Sequence, residues 1–370
     1  MSLLRFSKLL NSIKNLEPKK LHGKRVLLRL DLDVPIHLEG YVTEDFRLRR
    51  SLPTVRYLKE AGAKVIIIGH IGDAGEESLK PVAQWFDKNL PETGFVPSLE
   101  LKEVLDTMYA GNVLMLENLR RSPGEKTNDP VFAKQLAKLG DIYVNDSFAT
   151  SHRQHASIVG IPEFLPSYAG LNLEQEVEQL SKTFNSEHPF LFILGGAKFD
   201  TKVPLLEKFL QIADTIYISG ALANTFYKAR GDEVKDSLVD KNIDLAKPFL
   251  GQPKIILPDD LVWSNNKILD AGPKAVEQLK QLINQAKFIL WNGPLGNFED
   301  GFTQATDETA KAIAASGAYS IIGGGDTVAA IEKLNLLDKF SFVSTGGGAM
   351  LDFLANGTLP GIEALKNSKT

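Results

Sequence analysis

Hydrophobic positions along this chain come in short, nearly continuous runs, separated by stretches where apolar residues recur every three or four positions. In the first half the runs are RVLLRLDL (25–32), KVIIIGH (64–70), NVLMLEN (112–118) and DIYVNDSF (141–148). Between them lie amphipathic stretches such as LRRSLPTVRYLKEAGA and DPVFAKQLAKLG. Val/Ile/Leu runs without polar alternation predict strands buried on both faces, and alternation with helices predicts a parallel sheet. The second half repeats that grammar in PFLFILGG (189–196), DTIYISG (214–220), PKIILPDD (253–260), KFILWNGP (287–294), AYSIIGGG (318–325) and KFSFVSTGGG (339–348). Almost every run ends in glycine or a small polar turn and then enters a helix. The charged amphipathic stretch NLEQEVEQLSKTFNSEHP (172–189) marks the joint. The pattern therefore predicts an α/β protein: two doubly wound parallel-sheet (Rossmann-like) domains joined by a hinge helix. The predicted domains are 1–171 and 189–351, with 172–188 as hinge helix and linker.

Composition narrows this further. A length of 370 residues exceeds one ordinary core and suits two domains of roughly 150 to 200 residues. No apolar run reaches the ~18 residues of a membrane span, so no membrane partner is expected. The start, MSLLRFSKLLNSIKN, lacks a long apolar core and a small-residue cleavage site and reads as a surface helix. With no cysteine, disulfide frameworks and thiolate metal sites are excluded, and a cytoplasmic setting is expected. The net charge of −4 does not predict nucleic acid as a partner. Residues 1–170 hold 23 basic and 21 acidic side chains, against 19 and 25 in 171–370. The difference is as compatible with ordinary surface variation as with a small anionic substrate on the first half.

In doubly wound sheets ligands sit beyond the carboxyl ends of the strands. In the first half those ends carry Arg29, Asp31, Asp33, His70, Glu117, Asn118, Arg120, Arg121, Asp146, His152, Arg153 and His155. In the second they carry mainly glycines, with Lys198, Lys202, Asn224, Asn292, Glu299, Asp326 and Thr327. One half offers cations and histidines, the other bare backbone. The turns LGGAK, GGGDT and STGGGA each follow an apolar run and open a helix. A single such turn is plain punctuation, but three gather backbone N–H groups for a phosphate or nucleotide. No G-x-x-x-x-G-K-[ST] is present, and no G-x-G-x-x-G opens either half, which argues against a Walker-type site and a nicotinamide dehydrogenase. Lys198 and Lys202, four apart at a helix start, share a face where they are either solvated or set against phosphoryl oxygens. Asp326 can hold Mg²⁺ or cap its helix. His152 and His155 lack a convincing third zinc ligand, and Ser151 lacks a nucleophile elbow.

Taken together, RLDLDVP, TEDFRLRRSLPT, ENLRRSPGE, YVNDSFATSHRQHASIVG, GGAKFDTK, SGALANTF, WNGPLGNFE, GGGDTVAA and STGGGAMLDFLANGTLPGIEAL resemble the phosphoglycerate kinase family over essentially the whole chain. The resemblance implies a monomeric hinge-bending enzyme that moves a phosphoryl group between 1,3-bisphosphoglycerate and Mg-ADP, giving 3-phosphoglycerate and Mg-ATP. It implies glycerate on the N-terminal domain, nucleotide on the C-terminal one, and a tail, 352–370, packed back on the first domain. It implies a catalytic set of Arg47, Lys198, Gly325 and Gly347. Asp31, Leu32, Asp33, Arg47, His70, Ile71, Gly72, Asp73, Arg120 and Arg153 resemble the family's acceptor ligands. Gly196, Ala197, Lys198, Lys202, Gly220, Asn292, Pro294, Glu299, Gly324, Gly325, Asp326 and Thr327 resemble its nucleotide site, with Asp326 on Mg²⁺. Phosphoryl transfer asks mostly for positioning and charge neutralisation, and the acceptor is already ionised, so no catalytic triad is needed.

The chain also departs from the family pattern. Asp33 stands where R-x-D-x-N has asparagine, and Asp73 where H-L-G-R-P has arginine. Arg121 is an added cation, Ala149 and Ser151 replace a glycine and an alanine, Asn297 replaces a valine, and SNNK (264–267) is a shortened excursion. An acid at 73 predicts repulsion of a phosphate, with Arg121 expected to compensate in part. These acids also leave open a nucleotide-binding relative with weak or altered acceptor use.

Overall fold

The computed structural model describes residues 10–98, 102–196, 199 and 202–368. The chain divides into two compact units, one running to Glu178 and resuming at Thr358, the other spanning Gln179–Gly357. The first unit is built on a six-stranded sheet of β1 (Arg25–Arg29), β2 (Lys64–Ile68), β3 (Thr93–Val96), β4 (Val113–Leu116), β5 (Ile142–Asn145) and β6 (Ser167–Ala169). Its order is β3-β4-β2-β1-β5-β6 and every pairing is parallel. Val26 through Leu28 and Val65 through Ile68 are fully enclosed, which is why these runs show no polar alternation. The helix Phe46–Glu60 buries Leu48, Leu52, Val55 and Leu58, the three-and-four spacing of one helix face. It points Arg47 away from that core, where the guanidinium is half-exposed.

The edge strands β3 and β6 were not predicted. At four and three residues they are too short, and too mixed in polarity, to register as runs. The expected N-terminal surface helix lies largely outside the described residues. Its last positions form a single 3₁₀ turn, Ile13–Asn15, whose Ile13 is fully buried. Asn11 accepts a hydrogen bond from Ala169 N at 2.8 Å, so this segment lies along β6.

The second unit has β7 (Phe190–Leu194), β8 (Thr215–Ile218), β9 (Ile255–Ile256), β10 (Leu261–Ser264), β11 (Lys267–Ala271), β12 (Phe288–Asn292), β13 (Tyr319–Gly323) and β14 (Phe342–Val343). Six of these form a parallel sheet in the order β14-β13-β12-β7-β8-β9, while β10 and β11 pair separately and antiparallel. Of the run 253–260 only Ile255 and Ile256 are strand. The shortened SNNK excursion is a hairpin: Ser264 pairs with Lys267, and Asn265 and Asn266 both take positive φ, as a two-residue hairpin turn of mirror-image type requires.

The division between units falls inside the helix Leu171–Ser181. Its start is fixed within the first unit, where Asp146 Oδ1 accepts from Asn172 N (2.8 Å) and Leu173 N (3.1 Å). Thr54 Oγ1 accepts from Leu171 N at 3.1 Å. The return to the first unit begins at Thr358 rather than 352, because the helix Gly348–Asn356 packs inside the second unit. There the Phe353 and Phe184 rings lie 6.1 Å apart, and Lys208 donates to Ala355 O at 3.0 Å. The last helix, Pro360–Lys366, meets the first unit at Gly361, whose N–H donates to Ser151 O at 2.8 Å.

Ile67 is fully enclosed between the two helical layers of the first sheet. Ile67→Ala is expected to lower unfolding free energy by about 2–5 kcal/mol, read as a lower urea midpoint with an unaltered slope.

Candidate active site

The first unit's strand ends converge on a buried cation. Arg29 closes β1 with no exposed surface. Its guanidinium donates to Leu30 O, to Ser157 Oγ (3.0 Å) and, through Nη2, to His70 Nδ1 (2.8 Å). Glu125 accepts from Ser157 N (3.0 Å) and Ser157 Oγ (2.6 Å), placing a carboxylate one residue away from the cation. Burial pulls the Arg29 pKa down and Glu125 opposes it, but a guanidinium stays protonated. It therefore has no lone pair to offer His70, so Nδ1 must accept and the ring proton sits on Nε2. Burial, followed by Arg29, Arg120 and Arg153, holds His70 far below the usual histidine range. His70 is thus a neutral N–H donor with one fixed tautomer.

Arg120 and Arg153 stand near it, and Arg29 links it to Asp31 and, through Asp31, to Arg47. Asp31 is buried, with Oδ2 3.3 Å from Arg47 Nη1, and neither carboxylate oxygen accepts an aligned hydrogen bond. Burial raises its pKa, and Arg47 works against that. Arg47 Nη1 also donates to Asp33 O at 3.2 Å. Arg120 is buried and leaves Nε and Nη2 without partners among the described residues. Leu32 and Ile71 are counted among the acceptor ligands by resemblance, yet their side chains belong to the hydrophobic core. Only their backbones are offered to the site.

The two acidic departures are both engaged. Asp33 Oδ1 accepts from Gly72 N at 3.0 Å and so fixes the loop after β2 where Gly72 takes φ +64. Asp73 Oδ1 lies 2.9 Å from Arg120 Nη1. The expected compensation by Arg121 is not what the geometry provides, since Arg121 Nη2 pairs with Glu117 Oε2 at 3.2 Å. Ser157 and Glu125 escaped the sequence analysis. They lie on short helical turns, Ala156–Gly160 and Pro123–Lys126, rather than at strand ends.

In the second unit the site is backbone. Strand order makes β7 and β12 the neighbours at which chain direction across the sheet reverses, the position where doubly wound sheets open a crevice. Gly195 follows β7 and Gly293 follows β12, so close together that a Cβ on Gly195 would strike Pro294 O. Gly220 N donates to Leu295 O (3.1 Å) and Leu222 N to Gly196 O (3.0 Å), tying the three loops together. Beside them lies a cavity of about 520 Å³, lined by Gly196, Gly220, Pro294, Glu299 and Asp326 on one side and by β10–β11 on the other. Lys202 is buried and donates to Asn292 Oδ1 at 3.3 Å, while Asn292 Nδ2 has no partner among the described residues. Burial pulls the Lys202 pKa down to about 8. Thr327 Oγ1 accepts from Gly293 N at 3.0 Å. Gly324, at φ +99, precedes the helix Gly325–Lys333, and Gly347, at φ +50, precedes Gly348–Asn356. Ala197 and Lys198 lie outside the described residues.

The phosphoglycerate kinase family model matches residues 14–357. The chain belongs to the phosphoglycerate kinase family. A phosphoglycerate kinase of Thermosipho africanus is 44% identical over 390 residues, covering 94% of this chain and 96% of the relative. One of Thermus thermophilus is 40% identical over 393 residues, covering 96% and 100%. The structure is similar to that of phosphoglycerate kinase from Coxiella burnetii, with a TM-score of 0.83, 38% identity and coverage of 97% and 100%. Phosphoglycerate kinase from Pyrococcus horikoshii gives a TM-score of 0.84 at 30% identity, covering 96% and 98%. Two parallel-sheet α/β units therefore agree with the fold of the phosphoglycerate kinases.

His155 reports on the charge of the first unit's cluster. Burial first, then Arg120, Arg153, Arg29 and Lys126, lowers its pKa to about 4, although Glu125 Oε1 lies 3.9 Å from Nδ1. An unfolded histidine titrates near ~6.5. Between those values the unfolded chain binds a proton that the folded one does not, so stability falls as pH drops through that window. His155→Gln is expected to lose less stability than the parent between pH 6.5 and 4, measured by denaturant midpoints.

Proposed function

We propose that the chain is an active phosphoglycerate kinase, with acceptor held by the first unit and nucleotide by the second. It transfers a phosphoryl group between 1,3-bisphosphoglycerate and Mg-ADP, giving 3-phosphoglycerate and Mg-ATP. The observation that carries this is the neutral His70 donor beside Arg120, whose buried Nε and Nη2 have no partner among the described residues. That arrangement suits a phosphate monoester, which accepts hydrogen bonds in several directions. A solely nucleotide-binding relative is not favoured, because Asp33 serves the backbone of the loop and Arg120 keeps two donors.

In this proposal His70, Arg120 and Arg153 hold the acceptor's far phosphate. Asp31 takes its hydroxyl, with two carboxylate oxygens still able to accept. Asp33, Leu32, Ile71 and Gly72 shape that pocket through backbone and loop geometry, with Asp73 at its rim. By the family resemblance, Arg47, half-exposed at the start of its helix, and Lys198 are both assigned to the transferring group. Lys202, Asn292, Thr327, Gly324 and the N–H groups at Gly325 and Gly347 take phosphoryl oxygens, since glycines there admit an anion against bare backbone. Gly196, Ala197, Gly220 and Pro294 flank the base, and Glu299 takes the ribose. Among the described residues no three His, Asp or Glu side chains converge as a metal site. Asp326 lines the cavity, as do Asp236, Asp270 and Glu299; with no converging carboxylate cage, the wall fits an ion carried largely by nucleotide phosphates, and Asp326 would hold the Mg²⁺ that neutralises developing charge. No base is required, because the attacking oxygen is already ionised. Catalysis then rests on in-line positioning and charge neutralisation. No helix among the described residues is long and apolar enough to cross a membrane. A monomer is part of the proposal through the resemblance, and a cytoplasmic setting through the lack of cysteine.

A coupled assay with 3-phosphoglycerate and Mg-ATP tests the activity directly; nucleotide binding without turnover would sink it. Arg47→Met is expected to lower kcat by roughly 10²–10³-fold, the scale of one lost charge-stabilising group, with a smaller change in either KM.

The second unit makes its own prediction. With a pKa of about 8, Lys202 loses its charge in the free protein as pH rises past that value, and a bound phosphate restores it. ADP binding should therefore weaken from pH 7.5 to 9.5 and take up a proton there, visible by calorimetry in buffers of different ionisation enthalpy. Lys202→Arg should abolish the proton uptake.

A further inference from the structure

The basic cluster of the first unit contains an anion of its own. Asp73 Oδ1 lies 2.9 Å from Arg120 Nη1, and the two side chains differ sharply in burial: 91% exposed for Asp73 and 1% for Arg120. The carboxylate thus stands between solvent and a guanidinium that is otherwise enclosed. Its loop is not free to wander. Asp33 Oδ1 accepts from Gly72 N, Arg120 Nη1 donates to Gly72 O, and Lys126 Nζ donates to Asp73 O at 3.3 Å. Gly75, at φ +86, lies so close to the Arg120 backbone that no Cβ would fit. Of the neighbouring carboxylates, Glu125 is committed to Ser157 and Glu117 to Arg121, Ser78, Leu79 and Asn118, while that of Glu77 lies against Gly72. His70 and His155 are held neutral at pH 7 by burial among Arg29, Arg120 and Arg153.

We propose that Asp73 is a tethered competitor of the acceptor's phosphate for the charge of Arg120: it holds Nη1 in the ligand-free protein, beside the Nε and Nη2 left for phosphate, offsets part of that guanidinium's charge, and thereby sets a weak affinity for the acceptor. The proposal rests on the assignment of Arg120 to the acceptor phosphate. The competition is local, because a carboxylate so exposed is screened from everything but its direct partner. It is also one-sided. Asp73 is the one charged partner of Arg120 among the described residues, and it reaches that guanidinium from the solvent side.

Asp73→Asn preserves size and removes the charge. It is expected to lower KM for 3-phosphoglycerate roughly three- to tenfold, the range of a charged pair with one partner buried, with KM for ATP unmoved. Inorganic sulfate, used as a competitive probe, should inhibit the variant at correspondingly lower concentration. Asp73→Ser should behave alike, which separates loss of charge from any particular contact of asparagine. In an Arg120→Met background the same Asp73→Asn change should alter KM by less than twofold, since nothing is left to compete for. An unchanged or raised KM in both Asp73 variants, with KM raised in Arg120→Met alone, overturns the inference and leaves the acceptor assignment standing. An Arg120→Met enzyme with the parent KM overturns the assignment, and the inference with it.

Discussion

A guanidinium with no exposed surface at the end of β1 is the constraint on which the first unit depends. An enclosed cation must have its N–H groups met, and each must be met from a fixed direction. Arg29 meets this through its own following carbonyl, Ser157 and His70, with Glu125 behind Ser157. Those partners come from the loop after β2 and from two short turns far along the chain, so the cation draws segments more than a hundred residues apart onto one point. It also determines what they present. His70 is obliged to accept on Nδ1 and so displays a proton on Nε2, and the positive surroundings keep it from taking a second one. A lysine at 29 would offer a point charge without the fork that serves three partners at once.

The second unit reaches an anion-binding surface by the opposite route. At the crossing of β7 and β12 the one buried cation among the described residues, Lys202, is secondary to bare backbone. The decisive feature there is that Gly195 and Gly293 carry nothing, so that two loop backbones approach to contact. Thr327 secures Gly293, and Asn292 keeps its amide Nδ2 unpaired among the described residues, beside Lys202. Burial costs Lys202 part of its affinity for a proton, which a phosphate would return. One unit therefore binds through charge held in place, the other through space kept clear.

The central strands of both sheets were legible because double burial writes itself as unbroken apolar runs. The short edges were not, since Thr93–Val96 and Ser167–Ala169 need only a few residues and one covered face. The Asn-Asn turn of β10–β11 was visible as a trimmed segment but not as a hairpin, although positive φ at two asparagines is a recognised signal. Of the site, the strand-end rule found Arg29, Asp31, His70, Arg120 and the glycine turns. It could not find Glu125 and Ser157, whose importance comes from a tertiary contact with Arg29 and not from position on a strand. Leu32 and Ile71 show the converse: adjacent in sequence to site residues, they turn their side chains into the core.

Charge at Asp33 and Asp73, counted by residue type, argued against an anion in this loop. Geometry changes the sign of one argument and the scale of the other. The Asp33 carboxylate is engaged by the N–H of Gly72, a bond that a neutral amide oxygen could also accept, so its effect is to shape the loop. Asp73 is opposed by the nearest cation in space, Arg120, rather than by the extra cation in sequence, Arg121, which Glu117 has already claimed. A local charge count would have paired the wrong arginine with the acid, because Arg120 and Arg121 diverge on a 3₁₀ turn, one inward and one outward. The effect of an acid in an anion site is decided by the partner it meets and by how much solvent lies behind it.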